Sequence, residues 1–270
     1  MLLIGLTGSI ATGKSTVSSL LAAPPYSLPI IDADVLARKV VEPGTRGYKA
    51  IVAHFAPTTP DLLLPAGPGQ TEEQRPLNRP ALGKRVFGDS EARRADRAVL
   101  NGIVHPAVRA EMFRAVVGCY LRGHWAVVLD IPLLFESRLD RFCGAVVVVA
   151  VGDPAVQMRR LTERDAHLSA EDAENRVRSQ TDVRVKARRA EARGRGRGIV
   201  LLNDGTREEL ALQVGDAVRV LRGGHPTWWS WLLLACPPLA AVVAAWRHWE
   251  NGRINRRWEE EQSAAVKGKL

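Results

Sequence analysis

The 270-residue chain has only three cysteines, Cys119, Cys143 and Cys236, and no C-x-x-C pair. A scattered, odd-numbered set builds neither a disulfide framework nor a zinc site, so a reducing, cytoplasmic compartment is expected. Acidic charge is also scarce: 38 Lys and Arg stand against 29 Asp and Glu, a net charge of +9. That excess, much of it arginine, favours anionic partners: a phosphorylated small molecule, nucleic acid or an anionic membrane surface. No basic leader precedes the first apolar run, which begins at Leu2, so neither a secretory signal nor a transit peptide is expected. An N-K-x-D base-reading motif is missing as well, since Asn203-Asp204-Gly205 does not fit its spacing, and this argues against a GTPase.

What the chain does have is a glycine loop in an informative place. Gly8-Ser9-Ile10-Ala11-Thr12-Gly13-Lys14-Ser15 reads G-x-x-x-x-G-K-S. It follows the apolar run Leu2–Leu6 and precedes Thr16-Val17-Ser18-Ser19-Leu20-Leu21, whose apolar residues fall at helical spacing. Strand, glycine loop and helix in that order form the context of a phosphate-binding loop, in which backbone N–H groups and the helix dipole hold a polyphosphate. Lys14 is then expected on the β- and γ-phosphates of a nucleoside triphosphate, and Ser15 on Mg²⁺.

Apolar runs predict three strong strands, Leu2–Leu6, Ala126–Leu129 and Ala145–Val151, and two weaker ones, Leu28–Ile31 and Ile199–Leu202. They alternate with helical patterns, so the expected fold class is α/β, a central parallel sheet flanked by helices. The stretch from Ala56 to Pro76 is rich in Pro, Gly, Thr and Gln and reads as a loop without regular structure. Residues 77–124 read as an inserted helical region, and 153–192 as a helical lid. Gln157 to Arg193 is so dense in charge that it is expected outside any core, with Ser169 capping its second helix.

Near the C-terminus, Trp231 to Trp246 carries no charge and has tryptophans at both ends, but Pro237-Pro238 must break it. Residues 226–249 could contact a cytosol-facing membrane, as a shallow re-entrant segment, or dock as an apolar helix on the core. Arg247, Arg253, Arg256 and Arg257 follow, and 250–270 reads as a charged tail.

Four further constellations carry possible chemistry. Asp32 and Asp34 end the second strand, either as paired carboxylates at a ligand crevice or as helix caps. Asp130 closes Val127-Val128-Leu129, as a second magnesium-handling carboxylate does, or caps the next turn. His105 and Arg109 share a helix face suited to a phosphorylated acceptor, although such pairs also decorate plain surfaces. Arg159, Arg160 and Arg164 could be brought to a phosphoryl group by a closing lid, or form ion pairs with Glu163 and Asp165. Arg193-Gly194-Arg195-Gly196-Arg197-Gly198 reads as a tight basic connection rather than an RNA-binding tract, and no nucleic-acid partner is expected.

Read in order, the sequence resembles the dephospho-coenzyme A kinases. The resemblance covers about residues 1 to 222 and rests on the loop from Thr7 to Ser15, Asp32-Ala33-Asp34-Val35-Leu36-Ala37-Arg38, Val41-Glu42-Pro43-Gly44 and Leu77-Asn78-Arg79-Pro80. It continues through Asn101-Gly102-Ile103-Val104-His105-Pro106, Asp130-Ile131-Pro132-Leu133-Leu134-Phe135-Glu136, Arg160-Leu161-Thr162-Glu163-Arg164-Asp165 and Asn203-Asp204-Gly205. Ser9, Ala11 and Thr12 stand where such kinases often carry glycine or serine. The resemblance implies ATP-dependent phosphorylation of the ribose 3′-hydroxyl of dephospho-CoA. It further implies Asp34 as base or hydroxyl-orienting group with Asp32 beside it, His105 and Arg109 toward the acceptor, Arg160 and Arg164 in the lid, and Asn203 with Thr16 and the loop around ATP. Another small-molecule kinase, for a nucleoside or a sugar, and a non-catalytic basic nucleotide- or nucleic-acid-binding protein are the alternatives.

Overall fold

In the computed structural model, residues 1–67, 71, 74–88, 90–165, 174, 177 and 182–267 are described. The chain divides into two compact units, Met1–Ile31 with Gly118–Leu270, and Asp32–Val117.

The first unit is built on a five-stranded sheet of order β2-β3-β1-β4-β5, with β1 at Leu2–Gly8, β2 at Ile30–Asp32, β3 at Ala126–Asp130, β4 at Ala145–Ala150 and β5 at Gly198–Leu202. β1 pairs parallel with β3 (Leu2 opposite Ala126) and with β4 (Ile4 opposite Ala145), and β4 pairs parallel with β5. Every residue of β3 and β4 is buried, which is why these strands are apolar without alternation. One face is closed by α1 (Lys14–Ala22), through Val17 and Leu21, and by Leu210, Val214, Ala217, Val218 and Leu221 further along the chain.

The second unit has its own core. α2 spans Ala33–Lys39, α3 Arg46–Phe55, α4 Arg79–Val86 and α5 Glu91–Leu121, the last four residues of α5 counting with the first unit. Tyr48, Ile51 and Phe55 of α3 pack with Leu82 and Val86 of α4, and with Leu62 and Leu77. The loop expected to be structureless from Ala56 to Pro76 is therefore partly ordered. It begins with a short 3-10 turn, carries a bridge between Leu63 and Leu77, and is held by Tyr48, whose hydroxyl donates to the Arg75 carbonyl at 2.6 Å. Buried Leu62, with Leu77 just past the segment, gives it enough apolar area to fold back, a signal hidden among its prolines and glycines.

α6 spans Pro154–Arg164 and α7 Val183–Glu191; the expected cap at Ser169 lies outside the described residues. Charge density misleads here. Gln157 and Leu161 of α6 are buried, as are Val183, Lys186 and Ala190 of α7, and Arg193 lies beyond them. Each buried set repeats at three or four residues, so one narrow face packs while the rest is solvated.

α8 (Arg207–Gly223) opens with a capping box between Thr206 and Glu209. α9 (Thr227–Ala235) and α10 (Pro237–Lys267) follow, separated by Cys236 where the paired prolines predict a break. No single helix is long and apolar enough to cross a membrane, and α9 and α10 meet that test only as a pair bent by 112°. The reading of 250–270 as a charged tail needs correction: α10 continues as far as Lys267, with Asn251 and Asn255 buried. Asn251 donates to the carbonyls of Arg141 and Cys143, both at 2.9 Å, and Asn255 donates to the Asp140 carboxylate at 2.8 Å.

All three thiols are free. Burial pushes the Cys143 thiol up to about 12, so it carries almost no thiolate near neutrality. Under alkylation of the folded chain at mildly alkaline pH, half-buried Cys236 is expected to react first while Cys143 is protected until unfolding. Early modification of Cys143, read by peptide mass, is the contrary result.

Candidate active site

The loop Gly8–Ser15 is fixed from three directions. Gly13 adopts φ 91°, which only glycine tolerates easily, and a Cβ there would collide with the Asn203 side chain. Asn203, just past β5, donates its amide to the Thr12 carbonyl at 2.9 Å. Buried Thr12 returns its hydroxyl to the Ser9 carbonyl at 2.9 Å. Gln157 reaches from α6 to the Ile10 carbonyl at 2.7 Å and the Ser9 hydroxyl at 3.3 Å. Ala11 holds φ 59°, the left-handed conformation that suits a glycine at this place. With its carbonyls engaged, the loop leaves its N–H groups and the start of α1 to an anion.

Lys14, the first residue of α1, pairs with the carboxylate of Asp130. Asp130 ends β3 and is buried, and its segment is held by two bonds to Pro132: the Thr7 hydroxyl and the Lys186 ammonium both donate to that carbonyl at 2.9 Å. Lys186, 1% exposed at its side chain, also pairs with Glu136 at 3.0 Å. Ser15 lies one residue on from Lys14 and is exposed. One carboxylate and one hydroxyl are hard oxygen donors suited to Mg²⁺, which commonly takes few protein ligands and completes its shell with phosphate and water. Among the described residues no cluster of three His, Cys, Asp or Glu forms a protein-only metal cage.

The lid arginines separate. Arg160 donates to the Asn203 carbonyl at 2.6 Å, which ties α6 to the residue that braces Thr12. Arg164 forks onto neighbouring Asp165 at 3.0 and 3.1 Å, and the hydrogen bond to that carboxylate is the main cause holding its pKa above the ordinary value. Arg159 faces Glu163 at 3.9 Å. For Arg164 and Arg159, then, the ion pairs weighed in the sequence are what the structure contains.

On the second unit, Asp32 and Asp34 part, and of the two readings weighed for them the helix cap holds for Asp32. β2 ends at Asp32, which caps α2 by accepting from the N–H groups of Asp34 (2.8 Å) and Val35 (3.1 Å). Asp34 is in the first turn of α2, exposed. The two carboxylates thus differ: Asp32 is engaged in shaping the chain, whereas Asp34 stands exposed. His105 and Arg109 occur four residues apart on α5, both exposed, and so share one helix face.

The family model for dephospho-CoA kinase matches residues 2–209. The chain belongs to the dephospho-CoA kinase family. The dephospho-CoA kinase CAB5 of Saccharomyces cerevisiae is 42% identical over 245 residues, covering 91% of this chain and 92% of the yeast protein. The dephospho-CoA kinase of Geobacillus kaustophilus is 43% identical over 213 residues, 79% of this chain and 93% of that one. Among solved structures, TT1252 from Thermus thermophilus matches with a TM-score of 0.62 at 28% identity, over 82% of this chain and 98% of that chain. Because 245 aligned residues exceed 222, the yeast match runs into α9 and α10.

Sequence reasoning missed Gln157, Lys186 and the Arg193–Asp140 pair. The signal was available for Gln157 and Lys186, since each is a polar residue on the apolar stripe of its helix, at spacing four from Leu161 and three from Val183. Gln157→Leu in this kinase would remove the two bonds that tie α6 to the Ile10 carbonyl and the Ser9 hydroxyl, at about 0.5–1.5 kcal/mol each. The expected result is a rise of about tenfold in KM for ATP with a smaller change in kcat, checked by initial-rate kinetics. An unchanged KM would mean that the glutamine does not brace the loop.

Proposed function

We infer that the chain transfers the γ-phosphoryl group of ATP to the ribose 3′-hydroxyl of dephospho-CoA, giving coenzyme A. The observation that carries this reading is the braced loop Gly8–Ser15 with Lys14 paired to Asp130, within a chain that belongs to the dephospho-CoA kinase family. The loop's N–H groups, with Thr16 and Asn203 beside them, hold the ATP phosphates, and Lys14 neutralises charge on the β- and γ-phosphates. Ser15 and Asp130 hold Mg²⁺, which when bound supplies further neutralisation of the phosphate oxygens. Asp34 orients the acceptor hydroxyl and receives its proton, while His105 and Arg109 bind the acceptor. Arg160 acts by fixing Asn203, and Arg164 supplies a lid cation once it leaves Asp165. Phosphoryl transfer passes through a loose transition state, so positioning and charge neutralisation account for most of the rate.

Initial rates of ADP release with dephospho-CoA, nucleosides and gluconate as competing acceptors test the substrate. Dephospho-CoA alone should support fast turnover; a nucleoside or sugar doing so would move the reading to another small-molecule kinase. Three free thiols support a reducing compartment. Membrane contact through Trp228–Trp249 is supported by the outward exposure of Trp228, Trp231, Trp246 and Trp249.

A further inference from the structure

α10 has two faces of opposite character. Asn251 and Asn255 turn inward, and Arg197 holds the same side by donating to Asn251 at 2.6 Å and pairing with Glu250 at 2.8 Å. Opposite them, Val242, Trp246, Trp249, Arg253 and Arg256 follow one another at spacings of four and three, and all are exposed. Such spacing puts them on one line along the helix. The line is apolar in its first half and basic in its second. Guanidinium groups also lie over the rings, Arg253 at 4.9 Å from Trp249 and Arg247 at 5.4 Å from Trp246. α9 behaves alike: Leu233 is buried and its carbonyl accepts from the Tyr120 hydroxyl, while Trp228, Trp231 and Leu232 face outward.

We propose that this outer face of α9 and α10 is a peripheral binding surface for anionic lipid, with α10 lying along the membrane rather than entering it end-on. The inward asparagines fix the orientation. A helix tied to the core at positions 251 and 255 cannot thread a bilayer without breaking those bonds, whereas its opposite line can sink a few ångströms into the headgroup region. Tryptophan suits that depth, being a large apolar ring with one polar N–H. The arginines beyond it meet lipid phosphates and are weakly hydrated for cations. Acidic groups do not cancel them: Glu250 is engaged by Arg197, Glu259 faces Arg189 at 3.9 Å, and Glu260 comes only where the line ends. The inference deepens the membrane-contact reading and is independent of the kinase assignment.

The test is co-sedimentation of the full-length enzyme with phosphatidylcholine vesicles, with and without phosphatidylserine, at low and high salt. The enzyme is expected to bind the mixed vesicles, to bind pure phosphatidylcholine weakly, and to release with salt. Arg253→Glu with Arg256→Glu should lower partitioning at least about thirty-fold, from about 1 kcal/mol per basic residue at such a surface. Trp246→Ser with Trp249→Ser should lower it at least about tenfold. Both variants are expected to keep kinase activity in solution, the check that they fold, and Arg94→Glu with Arg219→Glu is the charge-matched control expected still to bind. Equal binding to both vesicle types would overturn the anionic preference, and binding to neither would overturn membrane contact itself. Concentration-dependent dimerisation that the tryptophan variant abolishes, without lipid binding, would assign the face to a second copy of the chain and overturn the proposal.

Discussion

Replacing Asp34 by asparagine is expected to lower kcat by about 10²–10⁴-fold, the range of a group that moves a proton in the transition state. ATP should still bind with near-native affinity, because the Thr12, Asn203 and Gln157 contacts that shape the phosphate loop do not involve Asp34. The informative comparison is Asp32→Asn. Asp32 accepts from two N–H groups at the start of α2, and asparagine caps helices about as well as aspartate. That variant should keep most of its turnover, and Asp32→Ala should cost about 1 kcal/mol of stability. Single-turnover kinetics with chemical denaturation separate the roles. Near-normal turnover of Asp34→Asn, or equal damage from Asp32→Asn, would refute the division of labour between the two carboxylates.

Arg193→Met is expected to destabilise the protein by about 3–5 kcal/mol, a thermal shift on the order of 10 °C. Arg193 is 1% exposed at its side chain and pairs at 2.9 Å with Asp140, which is fully buried. A second bond runs from Arg193 to the Asp140 carbonyl at 2.9 Å, and burial is the main cause holding the arginine below its ordinary pKa. Removing the cation strands a buried carboxylate that keeps the Asn255 amide as a donor but no cation partner among the described residues, and that stranded charge is the source of the cost. Arg193→Met combined with Asp140→Asn should therefore lose less than Arg193→Met alone. A chain ending at Arg222 loses Asn251 and Asn255 and should be destabilised too. A loss under about 1 kcal/mol for Arg193→Met would show that the pair is not a structural anchor.

The sheet and the phosphate loop were legible because their signals are local. Runs of valine and leucine mark strands buried on both sides, and Gly8, Gly13 and Lys14 between an apolar run and a helical pattern announce the loop. Strand ends moved by only a few residues, as when β1 reached Gly8 and β2 began at Ile30. The site was legible as far as residue types go, but not in how it is braced. Nothing local decides between the two readings of Asp32, cap or paired carboxylate, or says that Arg160 bonds a carbonyl. Those facts depend on where β2 stops and where α6 meets the end of β5. The C-terminal region was misread for a related reason. Its composition shows an apolar half and a charged half, whereas α10 divides by face: two asparagines four residues apart turn inward, and the tryptophans and arginines turn outward.

The most direct measurement is the identity of the product formed from ATP and dephospho-CoA by the purified chain. Phosphorus NMR with mass spectrometry should show one phosphoryl group added at the ribose 3′-hydroxyl, stoichiometric with ADP and abolished by Lys14→Ala. ATP hydrolysis without phosphorylated dephospho-CoA, or a phosphoryl group at another position, would contradict the account.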